Sequence, residues 1–422
     1  MENHQERLER FNINQRSAMI TISLCIFVDV LGYSMIVPLL PNIVRGIYGA
    51  SEFIIGMAIA SNAATALFFA PIWGKLSDRY GRKPILLVSQ VGTLSSFLLL
   101  GFSSSLEVVF LSRIFDGVFG GQIPVIRAYI ADITESKTRS TEMGKFTGIM
   151  AFGMIFGPVI GGFMGIIDLS IPPFIASFLS FLSIIFTIRF LVESMPKERR
   201  LENKKIKETN NKKNPGGKNK VLTKVVWLRL GQLFIVSLTI QMFNTSISEV
   251  IQTRYGLTLA HLGIFATIAG ILMIIFGVRL TKPLVSKLGE KKVLVIAIIS
   301  GAFVALMYPL MIEAWMLLLF VVPFVFSNVF SRTITTTTLS RTAEEHDQGI
   351  VNGWGMNMQS ISQILAPVIA FWYLDIGILT IFTFTVDAYF LLGFTSAMVM
   401  LILLILVLID IKYYSKDYTQ PK

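Results

Sequence analysis

Three ionisable side chains lie inside otherwise apolar stretches of the sequence. Asp29 lies in the stretch 17–41, and Arg113 and Asp116 lie in the stretch 107–131. A charge in the centre of a bilayer costs at least about 2.5–3.5 kcal/mol, so each of these side chains needs a partner or a function. Together they carry one negative charge, which a proton or a cationic substrate can neutralise. Because arginine keeps its proton in a protein, a carboxylate has to titrate.

The three charges are predicted to share one depth in the membrane. A helix rises about 1.5 Å per residue, and the two stretches run in opposite directions across a hydrocarbon core about 30 Å thick. All three then lie roughly 9–13 Å below the same face. We predict that Asp29, Arg113 and Asp116 form a proton-coupling site. The alternative is a static ion pair that fixes two helices.

The elements that must position these residues are transmembrane helices. Apolar residues make up 53% of the 422 residues and charged residues 15%, with a mean hydropathy of +0.67, which is typical of a multi-pass membrane protein. A crossing needs about 20 helical residues. The predicted crossings are 17–41, 53–73, 84–103, 107–131, 143–166, 171–192, 225–250, 260–280, 292–312, 314–338, 349–372 and 383–409. The predicted fold is therefore all-α, with twelve transmembrane helices.

The basic residues predict the topology. Of the 37 Lys and Arg residues, 11 lie in the connector 193–224, whereas the alternate loops hold only Arg45 and Arg254. Basic residues stay on the cytoplasmic side during insertion, so both termini and the connector are expected in the cytoplasm. This distribution accounts for the net charge of +11 without a nucleic-acid partner, and membrane lipid is the expected contact of the connector. The single cysteine, Cys25, cannot form an internal disulfide.

The two halves of the chain are faint copies of each other. Leu76–Lys83 aligns with 284–291, 208 residues later, and Gly157–Gly162 aligns with 366–371, 209 residues later. We predict a cytoplasmic segment 1–16, a six-helix bundle 17–192, a linker 193–224, a second, parallel six-helix bundle 225–412 and a tail 413–422. Such repeats place a substrate near the midplane between the bundles. Asp29, Arg113 and Asp116 align with Ser237, Val321 and Phe324, so proton coupling is expected in the first half.

Several motifs resemble those of the major facilitator superfamily. Gly74-Lys-Leu-Ser-Asp-Arg-Tyr-Gly-Arg-Lys83 matches its loop motif G-x-L-x-D-R-x-G-R-K, and Gly153-Met-Ile-Phe-Gly-Pro-Val-Ile-Gly-Gly162 matches its antiporter motif G-x-x-x-G-P-x-x-G-G. Leu111-Ser-Arg113 resembles its fourth-helix motif, with Asp116 where glutamine is more usual. Asp29-Val-Leu-Gly32, followed by Pro38 and Pro41, resembles the first helix of the drug:proton antiporter branch.

The resemblance implies a cytoplasmic gate in the first loop. Asp78 would face the positive end of the helix that begins near Gln348 and hold that side shut, whereas the alternative is that the basic residues only set topology. The residues of this gate would be Gly74, Asp78, Arg79, Gly81, Arg82, Lys83, Asp132 and Arg139. The antiporter motif, Gly153, Gly157, Pro158, Gly161 and Gly162, would form a bent, closely packed seam.

The predicted function is export of a small amphipathic compound by alternating access, in exchange for protons. The alternatives are proton-independent transport of a polar metabolite, or movement of lipids. Substrate contacts implied by the resemblance are Tyr33, Met35, Gln122, Gln241, Asn244 and Asn328, with Glu249 as a further candidate for a cationic substrate. We expect a monomer in the cytoplasmic membrane that uses the proton gradient and no cofactor or metal. No sequence motif indicates an enzyme.

Overall fold

The computed structural model describes residues 14–135, 138–196, 198, 200, 222–311, 313, 315–344, 347–381 and 384–418. Residues 1–13 of the predicted amino-terminal segment, most of the predicted linker 193–224 and residues 419–422 of the predicted tail lie outside this part of the chain.

The described residues form fourteen α-helices, several of them extended by a short 3-10 or π turn. The helices are α1 (Gln15–Ile36), α2 (Glu52–Tyr80), α3 (Arg82–Gly101), α4 (Leu106–Phe119), α5 (Gln122–Ile133), α6 (Arg139–Ile167), α7 (Ile171–Phe190), α8 (Lys224–Glu249), α9 (Leu259–Ile274), α10 (Thr281–Leu288), α11 (Glu290–Met307), α12 (Met316–Arg341), α13 (Gln348–Ile376) and α14 (Ala388–Tyr413).

Eleven segments of the described chain are long and apolar enough to cross a membrane, and each matches a predicted crossing. The remaining predicted crossing, 349–372, lies in α13. That helix has 29 residues, but its first half is rich in Asn, Gln, Ser and Gly, so it is less apolar than the others. The all-α membrane fold is thus confirmed with eleven candidate spans, and the twelfth helix is long enough but more polar.

The predicted crossing 107–131 is broken in the middle. Helix α4 ends at Phe119 and α5 begins at Gln122, with Gly120 and Gly121 between them. A Cβ atom on Gly121 would lie 2.4 Å from the Trp73 ring, and the Trp73 indole donates a hydrogen bond to the Val118 carbonyl at 2.5 Å. Only glycine at position 121 allows the indole to approach this closely.

A small antiparallel hairpin replaces the beginning of the predicted crossing 383–409. Strand β1 (Ile378–Ile381) pairs with strand β2 (Phe384–Asp387), and Ile378 lies opposite Asp387. Helix α14 therefore begins at Ala388, where the Asp387 carboxylate accepts a hydrogen bond from the Phe390 amide at 2.6 Å. Alternating Thr, Phe and Val favour a strand, and aspartate is a preferred N-cap, so a helix is disfavoured before this point.

Packing contacts divide the described chain into two units. Of the described residues, unit 1 comprises those within 14–39 and 61–200, and unit 2 comprises those within 40–60 and 222–418. The core of unit 1 is built on α1, α3 and α5, with Ile26, Leu86 and Ile126 buried in it. The outer segment, residues 40–60, belongs by its contacts to unit 2 although it continues directly from α1.

Equivalent positions of the two sequence repeats form ion pairs of opposite polarity. In unit 1, Arg82 Nε lies 3.1 Å from Asp132 Oδ2. In unit 2, Glu290 Oε2 lies 2.8 Å from Arg341 Nη1. Glu290 is 208 residues after Arg82 and Arg341 is 209 residues after Asp132, so the cation and the anion have exchanged places between the repeats.

Candidate functional site

The antiporter motif packs α6 directly against α1, the helix that carries Asp29. A Cβ atom on Gly157 would lie 1.9 Å from Ser34 Oγ, and one on Gly161 would lie 2.5 Å from the Met35 carbonyl oxygen. Ser34 Oγ donates to the Gly153 carbonyl at 2.9 Å. Three small residues one turn apart thus allow backbone-to-backbone approach, and this contact sets the position of α1 in unit 1. Gly162 is also buried, and Pro158 lies within the helix and is half-buried.

Asp29 is hydrogen-bonded to a neutral amide. Gln122 Nε2 donates to Asp29 Oδ1 at 2.9 Å and also lies 3.3 Å from Thr93 Oγ1. Gln122 is the first residue of α5, so the break in the middle of the span places it beside α1. Gln122 Oε1 is buried and has no hydrogen-bond partner among the described residues.

Arg113 and Asp116 form a second group on α4. Arg113 Nη1 lies 3.7 Å from Asp116 Oδ2, and both side chains are almost fully buried. Asn62 Nδ2 donates to the same Asp116 oxygen at 2.8 Å. Neither Nη1 nor Nη2 of Arg113 has a hydrogen-bond partner in the described part of the chain. The guanidinium is therefore held by a loose ion pair and keeps free donors.

The structure places these predicted residues in two groups within unit 1. Of the three predicted residues, Arg113 and Asp116 form an ion pair, with charged atoms less than 4.0 Å apart. Asp29 is instead hydrogen-bonded to Gln122. The Asp29 carboxylate still lies within electrostatic range of Asp116. Thr93 and Asn62 were not predicted. Each is a neutral polar residue in an apolar stretch. The sequence does not show which way such a side chain points.

The predicted cytoplasmic gate residues are organised around Arg82. Its guanidinium bonds to Asp78 at 2.8 Å and to Asp132 at 3.1 Å, and Ser194 donates to the same Asp132 oxygen. Lys83 Nζ donates to the Ile188 carbonyl at 3.0 Å. The other basic residues of the set bind locally: Arg79 lies over the Tyr80 ring, 5.3 Å from its centroid, and Arg139 donates to the Ala131 carbonyl at 3.2 Å.

Glu193 was not predicted, yet it caps α3. Its carboxylate accepts from the Arg82 amide at 2.8 Å and from the Lys83 amide at 3.0 Å, which are the first amides of the helix. Gly81 precedes them with a φ of 107°, and a Cβ atom there would lie 2.5 Å from Glu193 Oε2. A glutamate more than 100 residues away in sequence thus stabilises the helix start and requires a glycine before it. Gly74 has open space around its Cα.

The predicted substrate contacts differ widely in exposure. Tyr33 is 37% exposed, whereas Met35 is completely buried and offers no surface to a substrate. In unit 2, Gln241 is half-buried and Asn244 is exposed. Glu249 is buried and bound to Arg45.

Asn328 lines a cavity inside unit 2. The cavity has a volume of about 20 Å³, enough for one water molecule, and Ser327, Tyr308 and Phe324 also line it. Ser327 Oγ is buried without a hydrogen-bond partner among the described residues. The cavity is therefore suited to a small polar guest rather than a drug-sized molecule.

Residues 22–367 match the family model of the Major Facilitator Superfamily. The chain is 29% identical over 371 residues to Multidrug resistance protein 2 of Bacillus subtilis, covering 87% of this chain and 91% of that protein. It is 27% identical over 357 residues to Tetracycline resistance protein, class H, of Pasteurella multocida, covering 83% and 88% of the two chains.

Solved structures share the fold. The human organic anion transporter MFSD10 has a TM-score of 0.64 at 18% identity and covers 93% of this chain and 99% of its own. A bacterial homologue of the human lysosomal transporter Spinster has a TM-score of 0.73 at 12% identity and covers 96% and 98%. With the family model matched from the first helix into α13, and with the relatives aligned over most of their length, the chain belongs to the Major Facilitator Superfamily and is a membrane transporter rather than an enzyme.

Proposed function

We propose that this transporter exports a small amphipathic compound in exchange for protons, by alternating access of two six-helix bundles, 17–192 and 225–412. The proposal places it in the cytoplasmic membrane with both termini in the cytoplasm. The names of its relatives, multidrug and tetracycline resistance proteins, support a drug-like substrate. We expect the proton gradient, and no bound cofactor, to supply the energy.

One observation carries the proton coupling: Asp29, inside the first span, is hydrogen-bonded to the neutral Gln122. Protonation of a carboxylate that is tied to a guanidinium would break an ion pair. Protonation of Asp29 breaks none, since the described residues place no cation within 4.0 Å of it. The proton can therefore bind and leave without the loss of a salt bridge.

Gln122 can serve both protonation states of Asp29. Its Nε2 group donates to the charged carboxylate, while its buried Oε1 has no partner in the described chain. Rotation of the amide would present Oε1 as an acceptor to a protonated Asp29, which is then a donor. Because neither form leaves Asp29 unsatisfied, the energy difference between the two states stays small enough for a membrane proton gradient to control.

We expect Asp29→Asn to abolish transport that is driven by a pH gradient, because asparagine keeps the hydrogen bond to Gln122 but cannot carry a proton. The measurement is gradient-driven uptake of tetracycline and of the lipophilic cation ethidium into inverted vesicles. Folding should be unchanged, since the two side chains are nearly isosteric.

Asp168→Asn is the matched control. Asp168 lies in an exposed turn, where hydrogen bonds from the Ser170 side chain and backbone lower the pKa of its carboxyl group. This control should transport normally. Gradient-driven uptake by Asp29→Asn at the wild-type rate would contradict the proposed coupling role of Asp29.

A further inference from the structure

Two carboxylates meet one guanidinium in unit 2, whereas Asp29 belongs to unit 1. Arg45 Nη1 bonds to Glu52 Oε1 at 2.5 Å and also to Glu249 Oε1. Arg45 comes from the π turn Asn42–Ile47, Glu52 is the first residue of α2 and Glu249 is the last residue of α8. We call these three residues the outer cluster, because the sequence predicts this end of the spans to face outward.

The outer cluster has one negative charge more than its cation can balance. Burial alone would lower the pKa of Arg45, but the hydrogen bond and charge of Glu249, followed by those of Glu52, raise it overall, so the guanidinium stays charged. Both carboxylates bind the same nitrogen, so they are close neighbours. Only 17% of the Glu52 side chain and 2% of the Glu249 side chain is exposed.

Each carboxylate also keeps one unused oxygen. Glu52 Oε2 and Glu249 Oε2 are both buried, and neither has a hydrogen-bond partner among the described residues. A buried, charged oxygen without a donor is costly, whereas a neutral, protonated carboxyl group in the same place costs much less. The geometry therefore favours one added proton in the outer cluster.

Among the described residues, the groups around the outer cluster supply no second cation for it. Asp375 of α13 accepts a hydrogen bond from the Glu52 amide at 3.1 Å, which adds negative charge on that side. The Tyr389 hydroxyl is hydrogen-bonded to Thr253. Arg254 lies over the Tyr389 ring, 5.6 Å from its centroid, and is paired with Asp387 at 3.3 Å.

We propose that Glu52 holds a proton beside the Glu249 carboxylate, and that this proton keeps the outer segment 40–60 packed against α8 and α13, the seated arrangement. Two further contacts hold this segment: Asn42 donates to Gln252, in the π turn Val250–Arg254 that follows α8, at 2.7 Å, and a Cβ atom on Gly56 would lie 2.6 Å from the Pro367 carbonyl oxygen of α13. Loss of the proton leaves two like charges on one guanidinium and weakens the seated arrangement.

The outer cluster is a separate site from Asp29. Its protonation is independent of the proposed antiport function, whereas its role in transport rests on that function. The outer segment continues directly into α1, the helix that carries Asp29. If the seated arrangement binds one proton more than the open one, raising the pH by one unit favours opening by up to about tenfold. The seated state is then fully populated at low pH and is lost as the pH rises.

The test measures access to the outer segment without a substrate or a gradient. Cys25→Ser removes the only cysteine, and Ile43→Cys then places a thiol at a position that is 3% exposed when the segment is seated. A membrane-impermeant maleimide is applied from outside over a pH series. Ile47→Cys, in the same segment but 56% exposed, corrects for the pH dependence of thiol chemistry.

After this correction, we expect labelling at position 43 to rise with pH, by up to about tenfold per unit. Glu52→Gln and Glu249→Gln each remove the surplus charge, so each should keep position 43 protected at every pH. Glu107→Gln, an exposed glutamate at the start of α4, should behave like the parent protein. Two separate variants guard against a folding defect in one of them.

Arg45→Gln should act in the opposite direction and expose position 43 even at low pH, because it removes the cation that joins the two carboxylates. Corrected labelling that does not change with pH in the parent protein would overturn the proposal. So would an unchanged pH dependence in both Glu52→Gln and Glu249→Gln. Neither result depends on Asp29, so failure here is distinguishable from failure of the proposed transport function.

Discussion

At the scale of single residues, Arg113 is held in an unusual way. A guanidinium has five N–H donors in a fixed fork, yet Asp116 lies 3.7 Å away and the Arg113 Nε contact is with Ser112 at 3.3 Å. Among the described residues, its two terminal nitrogens have no hydrogen-bond partner although the side chain is 1% exposed. Such free donors suit a site that binds a further acceptor during the transport cycle.

We expect Arg113→Lys to impair gradient-driven transport by at least about tenfold, roughly 1.4 kcal/mol in the step that it controls. Lysine keeps the charge but loses the planar fork that can hold two acceptors at once. The measurement is initial uptake rate in inverted vesicles at equal protein level. Arg189→Lys, at an exposed position near the end of α7, is the control. A wild-type rate for Arg113→Lys would show that the fork is not used.

The sequence revealed the charged residues of the site more readily than their partners. Asp29, Arg113 and Asp116 stood out because a charge in an apolar stretch is rare and costly. Asn62 and Thr93 did not, since a neutral polar residue in a membrane helix is common and its partner depends on how each helix is rotated. Glu193 caps α3 from across the unit, and no local pattern predicts a contact between residues 82 and 193.

At the scale of helices, the close contact between α1 and α6 sets the position of these two helices in unit 1. Gly153, Gly157 and Gly161 lie one turn apart and all face α1. Their spacing in the sequence predicted a closely packed face, because residues four apart lie on one side of a helix. The break between α4 and α5 was not predicted, since two glycines inside an apolar stretch also occur in continuous helices.

Gly157→Ala should destabilise the protein, because the new methyl group would lie 1.9 Å from Ser34 Oγ and 2.9 Å from the Leu31 carbonyl oxygen. Overpacking of this kind typically costs about 1–3 kcal/mol. Thermal unfolding in detergent measures the effect as a lower Tm. Gly148→Ala lies on the same helix with open space around its Cα, so it should leave the Tm unchanged or raise it. Equal Tm values for the two variants would contradict the close approach.

At the scale of the whole molecule, the repeat is clearest in its reversed ion pairs. Arg82 with Asp132, and Glu290 with Arg341, occupy equivalent positions with opposite polarity. Taken alone, the alignment of Arg82 with Glu290 indicates that the second repeat has lost this basic residue. The structure shows that the partner has changed sign as well, so the contact was retained. The sequence predicts the offset between the repeats. It does not predict which residues form each ion pair, because the two residues of a pair lie about 50 positions apart.

We expect Glu290→Arg to lower the stability of the protein by about 1–3 kcal/mol, since Arg341 loses its carboxylate partner and a buried position gains a cation. Adding Arg341→Glu should recover most of the loss by restoring the pair in the polarity of unit 1. Thermal unfolding of the single and double variants is the measurement. Adding Arg279→Glu instead gives the same net charge at an exposed position and should recover little. Equal recovery by both would mean that only net charge matters.

The membership of the outer segment in unit 2 has a consequence for synthesis. Residues 40–60 emerge from the ribosome with the first half of the chain, yet by their contacts they belong to unit 2, and Leu40, Ile43, Val44 and Ile55 are each at most 3% exposed in the complete chain. Until residues beyond 219 have been inserted, the segment lacks the contacts that assign it to unit 2. The first half of the chain therefore cannot complete its native packing before the second half has been inserted. An early nascent chain should be recognised by membrane chaperones and proteases at this segment, and the exposure should end once α8 and α13 have entered the membrane.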